Sequence, residues 1–368
     1  MKPGRVLVMA GGTGGHVYPA LAVADCLAQR GWEVDWVGTE RGIESRVVPA
    51  AGLVLHKLTV LGIRGKGLVS RIKGFLYLLW SMVQALRLVW RLQPDVVLGM
   101  GGYAAGPAGL AAVLLRRPLV VHEQNAVAGT TNRLLAPLAR RVLSGLPGAF
   151  GQKRASQIVG NPVRSEIAEV YFEGAGLQDA FTPSRPLRLL VLGGSLGAAP
   201  LNETVPRAVA ALVAAGDGER LVVRHQCGER HEMTTREAWS TAGEMAVEVS
   251  PFIEDMAEAY AWADLVICRA GALTVSELAA TATPAILVPL PHAIDDHQTR
   301  NAETLSRVGA GILLHQSAMT PTALARLING LLDDAARLRG MSAAARGVAR
   351  ISATEVVADI VEEVAHGG

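Results

Sequence analysis

Charge and cysteine are both scarce in this chain: 18% of its 368 residues are charged and three are cysteine. Cys26, Cys227 and Cys268 lie far apart without metal-ligand spacing, which argues against a disulfide scaffold and fits a reducing compartment. An Asp-x-Asp pair, a pattern that clamps a metal-bound nucleotide, is missing. Asp295-Asp296 and Asp333-Asp334 are adjacent acids suited to solvent, so the sequence calls for neither a metal nor a cofactor. The opening MKPGRVLVMAGG has too short an apolar run for a secretory signal. Residues 74–86 form an uncharged block of 13 positions, whereas about 20 are needed to cross a bilayer.

Apolar residues are plentiful. Half of the chain is hydrophobic, enough for substantial cores, and the length predicts two α/β domains, 1–162 and 163–347. A helix over 351–365, within a closing segment 348–368, is expected to pack back on the first domain. The net charge of +2 conceals a strong polarity. Residues 1–162 hold 19 Lys/Arg against 7 Asp/Glu; the rest hold 16 against 26. Only the first half is therefore suited to an anionic partner. Between Glu44 and Asp95 there is no acid at all, while Arg46, Lys57, Arg64, Lys66, Arg71, Lys73, Arg87 and Arg91 fall within that span. Cations around the apolar, aromatic block 74–86 suit an amphipathic segment lying on an anionic membrane surface, where each Lys or Arg contributes on the order of 1 kcal/mol. A buried helix with solvated basic ends is the alternative. Nucleic acid is not expected, because the aromatics form one block rather than a dispersed stacking platform.

In the first half, residues 5–10 read as a strand, Gly11-Gly-Thr-Gly-Gly-His16 as a loop and 17–29 as a helix. The third glycine of a dinucleotide fingerprint is replaced by Val17, yet a glycine turn opening a helix still makes a phosphate seat. Tight strand–helix packing, with His16 capping the turn, is the alternative. Further apolar runs at 33–37, 95–99 and 118–122 suit parallel strands covered on both faces. Polar residues gather just after them, where open α/β sheets bind ligands. His16, Tyr103, His122, Glu123 and Asn125 are candidates to share one cleft; His122 and Glu123 equally suit a structural role.

The second half repeats the plan. Residues 168–186 read as a loop or boundary, 187–192 as a strand, and Gly193-Gly-Ser-Leu-Gly-Ala198 as a second glycine turn. Strands are expected at 221–226, 246–249, 264–268 and 285–288. Gly271 permits a sharp turn into a helix over 272–281, whose unpaired first-turn amides and dipole favour an anion. Glu277 is placed to accept hydrogen bonds from vicinal hydroxyls, or else is a solvated surface acid. Gln298, near the start of another helix, offers donor and acceptor groups to a sugar, or else faces solvent.

Six stretches stand in the order found in one family: GGTGGH at 11–16, HEQN at 122–125, GNPVR at 160–164, GGSLGA at 193–198, RAGALTVSE at 269–277 and DHQTRNA at 296–302. Over nearly its whole length the chain resembles the MurG family, UDP-N-acetylglucosamine transferases that convert lipid I to lipid II in bacterial cell-wall synthesis. The resemblance implies a GT-B fold, two Rossmann-like doubly wound domains with parallel sheets facing a cleft. It implies that the first domain meets the lipid acceptor and the second UDP-GlcNAc. It further implies a peripheral protein on the cytoplasmic face of the plasma membrane, whose partners are UDP-GlcNAc, undecaprenyl-linked lipid I and the anionic inner leaflet. Arg164, Ser195, Ile253, Ala272, Leu273, Thr274, Val275, Ser276 and Glu277 are then expected around the donor, with Ile253 at the uracil and Glu277 at the ribose. Gln298 is expected at the sugar, and Thr13, Gly14, Gly15 and Asn125 at the sugar or its diphosphate. Inversion requires a base for the acceptor hydroxyl; His16 is the first candidate, because a neutral imidazole works near pH 7, and Glu123 the second. Ala282 departs from the family, whose members often carry glycine there. A UDP-GlcNAc 2-epimerase shares this architecture, but the basic, apolar stretch 64–92 speaks against it. A nicotinamide oxidoreductase is disfavoured by the missing third glycine, and a sugar-nucleotide sensor would bind without turnover.

Overall fold

A computed structural model describes residues 3–60, 68–151, 155–173, 181, 184–291 and 293–367, without the side chains of residues 68–76 and Ile294. The chain divides into two compact units, Met1–Arg164 with Ile351–Gly368, and Ser165–Arg350.

The first unit is a seven-stranded parallel sheet of β1 (Arg5–Ala10), β2 (Glu33–Gly38), β3 (Val54–Lys57), β4 (Val96–Gly101), β5 (Leu119–Glu123), β6 (Arg141–Ser144) and β7 (Gln157–Ile158). Their order is β3-β2-β1-β4-β5-β6-β7. Side chains alternate across a strand, so β1 feeds two cores. Val6, Val8 and Ala10 pack with Val17, Val23 and Leu27 of helix Gly14–Gln29, whereas Leu7 and Met9 pack with Ala85, Leu88 and Val89 of helix Leu68–Leu92. Each fully buried Val, Leu or Met among them contributes on the order of 2 kcal/mol. Helix Ala353–Ala365 closes the first of these cores with Val357, Val361 and Val364. Its ion pairs, Arg30–Asp359 at 2.7 Å and Arg141–Glu363 at 2.8 Å, are largely exposed and add little beside that burial.

The second unit is a six-stranded parallel sheet of β8 (Leu187–Leu192), β9 (Leu221–Gln226), β10 (Ala246–Ser250), β11 (Leu265–Cys268), β12 (Ala285–Leu287) and β13 (Gly311–Leu313), ordered β10-β9-β8-β11-β12-β13. Both sheets reverse strand order once, between β1 and β4 and between β8 and β11. Ligands of open α/β sheets bind beyond the carboxyl ends of the strands at such reversals. Both glycine turns follow the strand on one side of a reversal, β1 or β8.

Several expectations are corrected. The first glycine run is a loop only to Thr13: the helix begins at Gly14, which places Gly14, Gly15 and His16 on its first turn. Residues 168–173, expected as loop, belong to helix Ser165–Glu173; of the remaining boundary, 174–180 and 182–183 lie outside the described residues. Strands β3, β6, β7 and β13 were not anticipated; all are two to four residues long, too short to show a period. Block 74–86 lies within the 25-residue helix Leu68–Leu92. Arg64 and Lys66 lie outside the described residues, as do the side chains of Arg71 and Lys73. Among the described residues no helix is long and apolar enough to cross a membrane.

Candidate active site

In the first unit the glycine turn is braced from below by a carboxylate. Glu44 is fully buried, accepting hydrogen bonds from the Gly12 amide at 2.9 Å and from the Thr39 amide and hydroxyl, both at 2.8 Å. A Cβ at Gly11, Gly38 or Gly42 would press on this carboxyl group, so its seat requires three glycines. At the end of β4, Gly102 has φ +93°, and a Cβ there would lie 2.4 Å from the Gly11 carbonyl oxygen. Beside it, a Cβ at Gly101 would lie 3.0 Å from Nδ1 of His16, so the imidazole rests against bare backbone.

HEQN falls at the end of β5, where strand alternation separates its side chains into two pairs. Glu123, 1% exposed, accepts from the Asn125 amide at 3.0 Å, Asn125 Nδ2 at 3.1 Å, the Gly129 amide at 3.0 Å and Asn132 Nδ2 at 2.8 Å. It therefore orders the loop that carries Asn125. On the other face, His122 Nε2 donates to the Gly160 carbonyl at 2.9 Å, and Gln124 Nε2 lies 3.1 Å from His122 Nδ1. Gln124 Oε1 lies 2.7 Å from Nδ1 of His16. Burial lowers the pKa of His122 from 6.5 to about 4, so it is neutral near pH 7. GNPVR serves as the seat of HEQN, since Asn161 Nδ2 also donates to the Gln124 carbonyl at 3.0 Å.

In the second unit, Ser195 is exposed at the turn after β8, and Ile253 is half-buried in the loop after β10. Gln226 joins these two loops: its Oε1 accepts from the Gly194 amide at 3.0 Å, and its Nε2 donates to the carbonyls of Gly194 at 3.1 Å and Pro251 at 2.9 Å. Helix Ala272–Ala280 follows β11. Of its first six residues, Leu273, Thr274 and Ser276 are partly exposed. Ala272 (6% exposed) and Val275 (1%) turn their side chains inward, so at these two positions the run 272–277 presents backbone rather than side chain. Glu277 is 6% exposed and accepts from the Tyr260 hydroxyl at 3.0 Å, so it is not a solvated surface acid. Gln298 is half-buried and holds the Leu290 amide at 2.9 Å through Oε1. Arg269 is half-buried and its pKa is lowered by desolvation; it donates to the Val288 and Pro289 carbonyls and to Gln316 Oε1, tying together the loops that follow β12 and β13.

The structure thus gathers Thr13, Gly14, Gly15, His16, Glu123 and Asn125 at the carboxyl ends of β1 and β5, and links the two sets through Gln124. Ser195, Ile253, the start of helix Ala272–Ala280 and Gln298 all follow strands of the second sheet at the same edge. Arg164 closes the first unit's main segment and is half-buried. Glu44, Gln124 and Gln226 were missed. Glu44 carried one signal, as the last acid before the acid-free span, and Gln124 another, by sharing a strand face with His122.

Residues 6–144 match the glycosyltransferase family 28 N-terminal domain, and residues 188–364 match the corresponding C-terminal domain. A UDP-N-acetylglucosamine–N-acetylmuramyl-(pentapeptide) pyrophosphoryl-undecaprenol N-acetylglucosamine transferase of Stutzerimonas stutzeri is 54% identical over 363 residues, 99% of each chain. The crystal structure of Acinetobacter baumannii MurG has a TM-score of 0.84 at 40% identity, covering 98% of this chain and 100% of that one. A UDP-GlcNAc 2-epimerase of Neisseria meningitidis, bound to UDP-GlcNAc, has a TM-score of 0.63 at 12% identity over 98% of this chain and 100% of that one, a likeness of fold alone. With two doubly wound sheets of the GT-B class and near full-length identity to its relatives, the chain belongs to the MurG family of glycosyltransferases.

Proposed function

We propose that the chain transfers N-acetylglucosamine from UDP-GlcNAc to the 4-hydroxyl of the muramoyl sugar of undecaprenyl-linked lipid I, with inversion, forming lipid II. The observation that carries this reading is the 54% identity over 99% of a transferase of that description. In this reading His16 takes the hydroxyl proton, the freed oxygen bonds to C1 of the donor sugar, and the C1–O bond to the diphosphate breaks with its electron pair leaving on UDP. A positioned base contributes roughly 10²–10⁴-fold. Glu123, the second candidate base, already holds four donors, and we assign it to positioning Asn125.

The second unit is read as the donor-binding domain: Ile253 meets the uracil, Glu277 the ribose hydroxyls and Gln298 the sugar. Tyr260 supports this by fixing one oxygen of Glu277. Ser195, Arg164 and the start of helix Ala272–Ala280 stabilise the diphosphate, the helix dipole contributing about 0.3–2 kcal/mol. Thr13, Gly14, Gly15 and Asn125 are assigned to the sugar or its diphosphate. Transfer of radiolabel from UDP-GlcNAc to a lipid I analogue is the expected result. Epimerisation of UDP-GlcNAc without acceptor, or tight binding without turnover, would overturn the reading.

The first unit is read as the acceptor domain, lying on the anionic inner leaflet at the cytoplasmic face of the plasma membrane. Helix Leu68–Leu92 buries Ser81, Ala85, Leu88 and Val89 but leaves Tyr77, Leu79, Trp80 and Trp90 exposed at 39%, 49%, 50% and 69%. Exposed aromatics beside Arg87 and Arg91 suit a lipid interface. Flotation with anionic vesicles tests this: changing Arg71, Lys73, Arg87 and Arg91 to Glu is expected to release the protein, and equal flotation would remove the electrostatic attraction.

A further inference from the structure

The hydrogen bonds around His16 have an order that can be read from their fixed ends. A backbone carbonyl only accepts, so His122, bonded to the Gly160 carbonyl through Nε2, carries its proton there and presents Nδ1 as an acceptor. Gln124 Nε2 faces that nitrogen at 3.1 Å and also the His122 carbonyl at 3.3 Å. The carbonyl admits only the NH₂ end of the amide, which settles the orientation of Gln124 and leaves Oε1 toward His16. An amide oxygen only accepts, so the 2.7 Å contact requires a proton on Nδ1 of His16. A neutral imidazole protonated at Nδ1 has its lone pair on Nε2.

We propose that Gln124 is a positioning residue that fixes the Nδ1–H tautomer of His16 and so leaves Nε2 bare to receive the acceptor's proton. The inference rests on the reading of His16 as the base. Gln124 is 1% exposed and His122 fully buried, so the relay is dry and its geometry is held by the Gly160 carbonyl at one end and by Asn161, which grips the Gln124 backbone, at the other. The Nδ1 edge of the His16 ring occupies space that only a glycine at 101 leaves open, since a Cβ there would lie 3.0 Å from Nδ1. A residue of this kind acts through another: an imidazole in the wrong tautomer is present, packed and inert.

Two measurements test it. In the full chain labelled with ¹⁵N-histidine, the imidazole signals absent from His16→Ala are expected to show a protonated Nδ1 and a bare Nε2; a protonated Nε2 in the neutral ring overturns the proposal whatever the variants do. In transfer from UDP-GlcNAc to a lipid I analogue, Gln124→Met is expected to lower kcat by about 10²-fold, within the range of a lost base, while KM for UDP-GlcNAc stays within about twofold. The same change in a His16→Ala background is expected to cost nothing further, because its target is gone. Equal losses in both backgrounds overturn the proposal. A His16→Ala variant with near-normal turnover refutes the base assignment instead, and the tautomer measurement still decides whether Gln124 sets the ring.

Discussion

Each unit contains a buried histidine within a chain of N–H donors that ends on a backbone carbonyl. In the first the chain runs from His16 through Gln124 and His122 to Gly160. In the second it runs from Trp239 through His225 and Asn202 to Cys227, with steps of 3.0 Å. The construction is the same and the head differs. Trp239 is 3% exposed and its indole only donates, so the second chain is a closed core fastening. His16 is half-buried and has a second ring nitrogen, so the first chain has an open end. The glycine turns differ in a related way. Glu44 beneath Gly12 is an anion, whereas Gln226 beneath Gly194 is neutral. A carboxylate close under an amide disfavours a further negative charge there, which favours the second turn over the first as the seat of a diphosphate.

The largest effect is expected from removing the charged brace. Glu44→Ala strands two amides and a hydroxyl and should cost about 3 kcal/mol in urea unfolding, while Gln226→Ala should cost about 2 kcal/mol. The reverse ranking would break the contrast. Acid comes next. Burial lowers His122 from 6.5 to about 4 and His225 from 6.5 to about 3. An unfolded chain protonates both near 6.5 while the folded chain resists, so stability is present above that pH and falls as pH drops toward 4 in the first unit and 3 in the second. Near pH 5 each unit should have lost roughly 2 kcal/mol. Hydrogen exchange resolved by segment reports each unit separately; protection unchanged between about pH 7.5 and about pH 5, after correction for the intrinsic exchange rate, would contradict the neutral chains. A smaller effect is expected from Gln226→Glu, which places a charge under the second turn and should weaken UDP binding about tenfold, or about 1.4 kcal/mol, by calorimetry. Unaltered affinity would remove the electrostatic contrast between the turns.

The smallest effect concerns Ala282, which has φ +54° and follows the end of helix Ala272–Ala280. Its amide donates to the Ala279 carbonyl and that of Thr283 to the Leu278 carbonyl, a helix stop that favours glycine. The left-handed backbone costs Ala about 1–2 kcal/mol, and the buried methyl returns about 0.8 kcal/mol, so Ala282→Gly should stabilise by less than about 1 kcal/mol. A lower melting temperature would show that the methyl outweighs the strain.

Much of this was legible in the sequence. Arg5–Ala10 and Leu187–Leu192 are largely apolar runs long enough to declare themselves, and their bounds, like those of the mixed run Leu221–Gln226, agree with the structure. β3, β7 and β13 are two to four residues each, and only pairing with a neighbour makes them strands. The candidate site residues were marked by motif, but their partners were not. Glu44 reaches Gly12 across 32 positions and His16 reaches Gln124 across 108, distances over which no local period carries information. Val275 shows the converse: a motif names six consecutive residues, and helical periodicity turns some of them inward.

Helix Ala353–Ala365 completes the core over Val6, Val8 and Ala10, yet a ribosome makes it only after all of Ser165–Arg350. The sheet synthesised first is thus the last to be finished, and its apolar face waits uncovered while the second unit, contiguous in the chain, can already fold. Brief proteolysis of stalled nascent chains should then find Ser165–Arg350 protected before Met1–Arg164; the opposite order would mean that the first sheet holds without its final helix.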